Sequence, residues 1–424
     1  MIYQAKLHSG IRVIMEPMEN LSSVSIGVWV NAGSVFETKA EEGISHFIEH
    51  MVFKGTARRT AAQIAAQMDA VGGNLNAFTA KECTCFYAKV LGEDLPLAVD
   101  MLSDITLHPS LDPVEMEKEK GVVIEEILMS EDNPEDKAFE AAAMAYYGDT
   151  CLSSPILGTE QQVRSFTREQ ILAYMARRYV SGNIVIACAG KFNTDELLTL
   201  LESAFADCPR APGDMTPEKT PLPGSRWQFI QKDTEQVHAC LTLPGYALDT
   251  EEYAALAVLS NALGGSTSSR LFQSIREERG LAYSVYTYPT GFRDTGDICL
   301  YFGTGEKQAV KALDLSLQEL KKLTAGITEE ELMRSRAQLK GSFLLGMEGS
   351  SAHMNALGKR LLLQNKEFTL EDTLRAMECV TMKKIEAILP HILSPHRAVC
   401  ACVGRVKRVQ KEMEAILSDW MQRR

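Results

Sequence analysis

A chain of 424 residues with 45% hydrophobic content can bury one large core or several smaller ones. Its net charge of −12 argues against nucleic acid as a partner, since nucleic-acid-binding domains usually carry a basic patch. No apolar run approaches the roughly 18 residues needed to cross a bilayer, so no membrane span is expected.

Met1 to His8 show no basic segment leading into an apolar one, and no signal peptide or organellar presequence is predicted. The ten cysteines include no Cys-x-x-Cys pair. Cys83/Cys85 and Cys400/Cys402 are each separated by one residue and would share a strand face. They read as small core residues, and the chain is expected in a reducing, bacterial-type cytoplasm.

In chain order, 10–16 and 24–30 read as strands, and a helix over 43–53 follows. That helix holds His46-Phe47-Ile48-Glu49-His50. At about 100° per residue, Glu49 falls about 60° to one side of His46 and His50 about 40° to the other. Two imidazoles one turn apart can bind one zinc, and a carboxylate beside them can take a proton from water activated there. This order of residues is the inverted form of the zinc-peptidase motif. A surface helix with a single Glu–His contact would show the same five letters. The apolar flanks, Ile44 and Met51-Val52-Phe53, point instead to a buried helix, in which unpaired polar heads are costly.

A helix over 60–71, a Gly72-Gly73 turn and an extended stretch from Asn74 to Thr79 come next, the stretch reading as a hairpin edge. The segment 86–90 is a further strand. Helices over 94–107 and 113–131 are divided by Pro109, the second opened by Asp112 as N-cap and Pro113 at the first helical position. Projected around that helix, Glu126 falls inside an apolar stripe of Val122, Val123, Ile127 and Met129, with Glu119 nearly in line two turns earlier. Two carboxylates in such a stripe need a counter-charge: a metal ion, or Lys or Arg from a neighbouring element.

The chain repeats itself at an offset of 214: Thr167 with Thr381, Ile171 with Ile385, Cys188 with Cys402, Gly190 with Gly404. The spacing predicts two similar halves, 1–207 and 225–424, joined by a Pro-rich linker over 208–224. Strands and helices that do not strictly alternate predict an α+β layered fold. The second half lacks the motif, because Ser260 and Gly264 stand where His46 and His50 would fall. A helix over 251–263 precedes Gly264-Gly265, which read as its C-cap and not as a phosphate loop. Arg276 and Tyr283 are seven apart, but Gly280 is expected to end their helix and leave Tyr283 on the next strand.

The motif, Glu126 placed 76 positions after His50 and Glu119 seven positions before Glu126 resemble the insulinase family of inverzincin peptidases, which includes pitrilysin and the mitochondrial processing peptidase. Gly72 to Thr79 and Arg276 to Tyr283 also look like segments of that family. The resemblance implies His46, His50 and Glu126 as ligands of one Zn²⁺ per chain, Glu49 as catalytic base and Glu119 as a supporting carboxylate. It implies Arg276 and Tyr283 as catalytic and substrate-binding residues, and Asn76, Ala77 and Phe78 as part of an edge strand that accepts a peptide. It further implies two halves facing each other as a clamshell around a chamber in which peptides or unfolded segments are cut. At two halves per chain, a homodimer or a heterodimer with a paralogue is expected. The competing reading is a non-catalytic or partner-dependent subunit of the same fold.

Overall fold

The computed structural model describes residues 1–213 and 226–422, so most of the predicted linker over 208–224 lies outside the described residues. The first half of the chain opens with strands β1 (Tyr3–Lys6), β2 (Arg12–Pro17) and β3 (Ser23–Val30) and helices α1 (Ile44–Met51) and α2 (Ala61–Ala70). Strands β4 (Asn74–Thr79) and β5 (Thr84–Leu91) and helices α3 (Leu95–Leu107), α4 (Pro113–Asp132) and α5 (Pro134–Tyr147) follow. Helices α6 (Glu160–Ser165) and α7 (Arg168–Arg178), strand β6 (Ile184–Gly190) and helix α8 (Thr194–Ala204) complete it. The second half contains β7 (Arg226–Gln231), β8 (Gln236–Pro244), α9 (Glu251–Ser260), β9 (Ala282–Gly291) and β10 (Gly296–Gly305). After these come α10 (Ala309–Lys322), α11 (Glu329–Gly346), α12 (Ser350–Gln364), α13 (Leu370–Glu378), α14 (Met382–Ile392), β11 (Val399–Gly404) and α15 (Gln410–Gln422).

The strands form two sheets, ordered β1-β2-β6-β3-β5-β4 and β7-β11-β8-β10-β9. Without β1 the orders coincide strand for strand, and in each sheet only the first matched pair (β2–β6, β7–β11) is parallel. The halves therefore share one mixed α/β fold, as the repeat predicts. The physical content of the repeat is local. Thr167 and Thr381 cap α7 and α14, each accepting an amide N–H from the first turn. Ile171, Ile385, Cys188 and Cys402 are fully buried. Gly190 and Gly404 end matching strands at φ +126° and +137°, where a Cβ would collide with the carbonyl oxygens of Ser23 and Gln236.

The compact units are not the sequential halves. One comprises Met1–Leu128, Ser154–Glu218 and Leu344–Phe368; the other comprises Met129–Ser153, Lys219–Phe343 and Thr369–Arg424. Two-sided burial explains the exchange. Strands β6 and β11 are buried along their whole length, so both faces of each sheet must be covered. In the first unit α12, from the C-terminal half of the chain, packs on β2, β3 and β6, and Gly358 leaves no room for a side chain against Trp29. In the second unit α5, from the N-terminal half, lays Ala138, Ala141 and Ala142 on Cys240, Tyr301 and Ala401. Such a covering helix shows in the strands only as an unbroken apolar run, which does not say which half of the chain supplies the helix.

One buried pair in the first unit gives a pH signature. His353 of α12 directs Nδ1 at Glu16 Oε2 of β2 (2.7 Å) and Nε2 at the carbonyl of Met347 (2.8 Å). Both partners accept, so the ring donates twice as an imidazolium. The bond to Glu16, working against burial, raises His353 above its usual 6.5. The pair's contribution to stability is therefore complete below 6.5 and lost as pH rises through the raised value. Thermal melting from about pH 6 to about pH 9 is expected to show this loss, and His353→Gln to flatten it. An equal pH slope in the variant would show that this pair is not responsible.

One sequence expectation is revised. The helix that begins at Glu251 does not end at a glycine cap but widens into a π-helical turn over Asn261–Gly265. Gly264 is not in the positive-φ conformation of a cap; it is needed for close packing, since a Cβ would lie 2.6 Å from the Thr287 amide nitrogen. Cys83, Cys85, Cys400 and Cys402 are buried, as their spacing predicts, whereas Cys379 is exposed. Among the described residues no helix is long and apolar enough to cross a membrane.

Candidate metal centre

The site lies wholly within the first unit. Helix α1 starts from Gly43 at φ +90°, a position crowded by Leu157 and Gly158 where only glycine fits. Its free N-terminal amides go to a side chain: Glu37 accepts from Gly43 (2.7 Å) and Ser45 (2.9 Å). Burial pushes Glu37 up to about 7 in spite of these bonds. Ile44, Phe47, Ile48 and Met51 are fully buried, each worth about 2 kcal/mol of apolar burial, and together they clamp the helix with its polar arc outward. Helix α4 begins as predicted, Asp112 accepting the amides of Val114 and Glu115.

The two helices bring three ligand atoms together. Glu126 Oε2 stands 3.6 Å from His46 Nε2 and 3.4 Å from His50 Nε2. Among the described residues this is the only cluster of three or more His, Cys, Asp or Glu able to hold a metal, its atoms all within 4.8 Å. Two ligands about 2.0–2.1 Å from one tetrahedral ion stand about 3.4 Å apart, so the observed separations fit zinc. The donor set fits as well. Burial, with a smaller effect from His50, lowers His46 to about 4 and keeps its imidazole neutral at neutral pH. Burial also disfavours charge on His50, but Glu119, Glu126 and Glu49 together raise its affinity for a proton. Positive charge is favoured there.

Glu119 accepts from His50 Nδ1 at 2.8 Å and pairs with Lys54 Nζ at 2.6 Å through its other oxygen. Burial would raise Glu119, but the hydrogen bonds from His50 and Lys54 outweigh it and hold the group below the usual carboxylate range. A carboxylate on Nδ1 keeps a ring proton there, so Nε2, facing Glu126, is the nitrogen whose lone pair a cation would take in place of a proton. His46 Nδ1 has no hydrogen-bond partner among the described residues. Glu49 Oε2 accepts from Thr79 Oγ1 at 2.5 Å. Burial raises Glu49 against the opposing effect of that bond, and the group also feels the charges of His50 and Glu126.

The expected apolar stripe around Glu126 is corrected. Val122 and Met129, its flanking neighbours, are 51% and 73% exposed, and the Glu126 side chain is itself 44% exposed. The buried arc of α4 runs instead through Met116, Glu119, Val123 and Ile127. Glu119 is therefore the buried carboxylate and Glu126 the one on the open rim, where a reactant can approach.

Asn76, Ala77 and Phe78 lie on β4, which ends its sheet with one edge unpaired among the described residues. In the second unit Gly280 takes φ +58° and ends the helical segment, and Tyr283 sits on β9, 74% exposed. The Arg276 guanidinium lies over the Phe272 and Tyr283 rings, 4.7 and 4.5 Å from their centres, so the structure joins two residues that the sequence left on separate elements. Two functional neighbours were missed. Lys54 follows His50 by one helical turn, a spacing that could have flagged it. Thr79 lies 30 residues from Glu49, and only strand pairing brings it near.

Two sheets of one strand order, one of them beside a His–His–Glu cluster able to hold a metal, with a further glutamate bonded to His50, describe a two-repeat protein with a candidate metal site. The chain belongs to the insulinase family of peptidases. Residues 12–160 match the insulinase (peptidase family M16) model, and residues 165–339 match the peptidase M16 inactive domain. The chain is 39% identical to the uncharacterized zinc protease YmxG of Bacillus subtilis, over 94% of this chain and 97% of the relative. It is 40% identical to an uncharacterized zinc protease of Mycobacterium tuberculosis H37Rv, over 97% and 95% respectively. Two solved structures share the fold at low identity. A Pseudomonas fluorescens peptidase M16 inactive domain gives TM-score 0.89 at 20% identity, covering 95% of this chain and 98% of that one. A chain of Candida albicans complex III2 gives TM-score 0.83 at 20% identity, covering 98% and 99%.

Proposed function

We propose that this protein is a zinc metalloendopeptidase that cuts peptides or extended, unfolded segments within a closed chamber. The observation that carries the reading is the convergence of His46 Nε2, His50 Nε2 and Glu126 Oε2 on one point, with Glu49 on the same helix face. These three residues would hold one Zn²⁺ per chain. Zinc, when bound, supplies a Lewis acid that acidifies water and polarises the scissile carbonyl. Glu49 accepts the proton of the attacking water on a carboxylate oxygen and passes it to the leaving amine nitrogen. Glu119 holds His50 in the tautomer that offers Nε2. The unpaired edge of β4, at Asn76, Ala77 and Phe78, accepts the substrate backbone as an added strand, and Arg276 and Tyr283 bind substrate. A cytoplasmic homodimer, or a heterodimer with a paralogue, belongs to the same reading.

The likeness to a chain of complex III2 favours a second reading, a non-catalytic or partner-dependent subunit. A fluorogenic-peptide assay separates the two. Cleavage by the purified chain is expected to vanish with a zinc chelator and return on adding Zn²⁺. Chelator-resistant cleavage would sink the zinc mechanism, and no cleavage by the zinc-loaded chain alone would favour the subunit.

A further inference from the structure

We propose that Thr79 is the positioning residue for the catalytic base: its hydroxyl fixes Glu49 Oε2 and leaves Oε1 as the atom that takes the proton. The inference rests on Glu49 being the base of the proposed reaction.

Thr79 closes β4, and its Oγ1 lies 2.5 Å from Glu49 Oε2. Among the described residues its one other side-chain partner is Thr84 Oγ1 at 3.4 Å. The Thr84 proton is committed elsewhere, donated to the carbonyl of Ala32 at 2.9 Å. The single proton of Thr79 therefore goes to Glu49. Glu49 has no other hydrogen-bond partner among the described residues, so Oε1 is free. A glutamate swings through three torsions, and on α1 nothing else ties this carboxylate down. A base held by one oxygen keeps the other at fixed aim, the condition under which proximity lowers a barrier.

The tether has a second consequence. Thr79 is locked in register opposite Thr84, at the end of the edge strand that carries Asn76 to Phe78. The same strand that would pair with an incoming peptide thus also fixes the base. Strand docking and base orientation share one rigid element, which sets the register of the bond to be cut.

The test compares Thr79→Val, which keeps the shape and removes the hydroxyl, with Thr79→Ser, which keeps the hydroxyl. For Thr79→Val we expect kcat to fall about 100-fold with KM changed less than about 3-fold and zinc content unchanged, and Thr79→Ser to recover most of kcat. Crystals of the two zinc-loaded variants give a readout independent of turnover: the Glu49 carboxylate should leave its place in Thr79→Val and keep it in Thr79→Ser. An unchanged kcat in Thr79→Val, an equal loss in Thr79→Ser, or a Glu49 carboxylate that stays in place without the hydroxyl would each overturn the proposal. Failure of the peptidase reading looks different: the wild-type chain and Glu49→Gln would then have the same activity, while the carboxylate position would still decide whether Thr79 holds Glu49.

Discussion

Replacing Glu49 with glutamine is expected to abolish most peptide cleavage while the protein keeps its zinc. The substitution is isosteric, and its amide oxygen can still accept from Thr79 Oγ1, so the local packing survives. What disappears is the group that accepts a proton. General acid–base catalysis contributes roughly 10²- to 10⁴-fold, and the loss in kcat should fall in or above that range. Metal content measured by mass spectrometry should stay at one zinc per chain, because the proposed ligand atoms belong to His46, His50 and Glu126. Unchanged turnover would remove Glu49 from the mechanism; zinc lost along with activity would make it a ligand instead.

Glu126→Gln is expected to do the opposite, losing the metal first and activity as a consequence. An amide oxygen carries no charge to offset the dication, and even residues that merely support metal ligands cost about 10- to 100-fold in affinity when changed. A ligand should cost at least as much. The residue sits on the open rim, 44% exposed, so the metal-free fold should hold within about 0.5 kcal/mol of wild type. Added zinc at about 100 times the wild-type dissociation constant should stabilise the wild-type chain by about 2.7 kcal/mol, and a variant whose affinity has fallen about 100-fold by only about 0.4 kcal/mol. Zinc at one per chain in the variant would place the third ligand elsewhere.

Much of the site was legible because its parts are local. His46, Glu49 and His50 lie within five residues of one helix, where the 100° step alone fixes their common arc. Asp112 and Pro113 mark the start of α4, and Glu119 and Glu126 follow at whole-turn spacing. Of the positions paired at offset 214, the threonines are helix caps set by their immediate neighbours, whereas the isoleucines and glycines repeat because the same core and the same strand contacts occur twice. What escaped depends on distant partners. Helical projection placed Glu119 and Glu126 nearly in line, yet packing buries the first and opens the second. The Thr79 contact exists because β4 pairs with β5 alongside α1, and nothing near Thr79 in sequence announces Glu49.

The amino-acid sequence determined which groups could serve as ligands and base, where the elements begin and end, and that one fold occurs twice. Those properties come from backbone sterics, capping and side-chain chemistry acting over a few residues. Tertiary structure alone decided that α4 meets α1 so that Glu126 reaches both imidazoles, that Arg276 stacks on Tyr283, and that α5 and α12 each cover a sheet built by the other half of the chain. Each of these joins segments far apart along the chain, and burial rewards any apolar face that closes a sheet, whichever half supplies it.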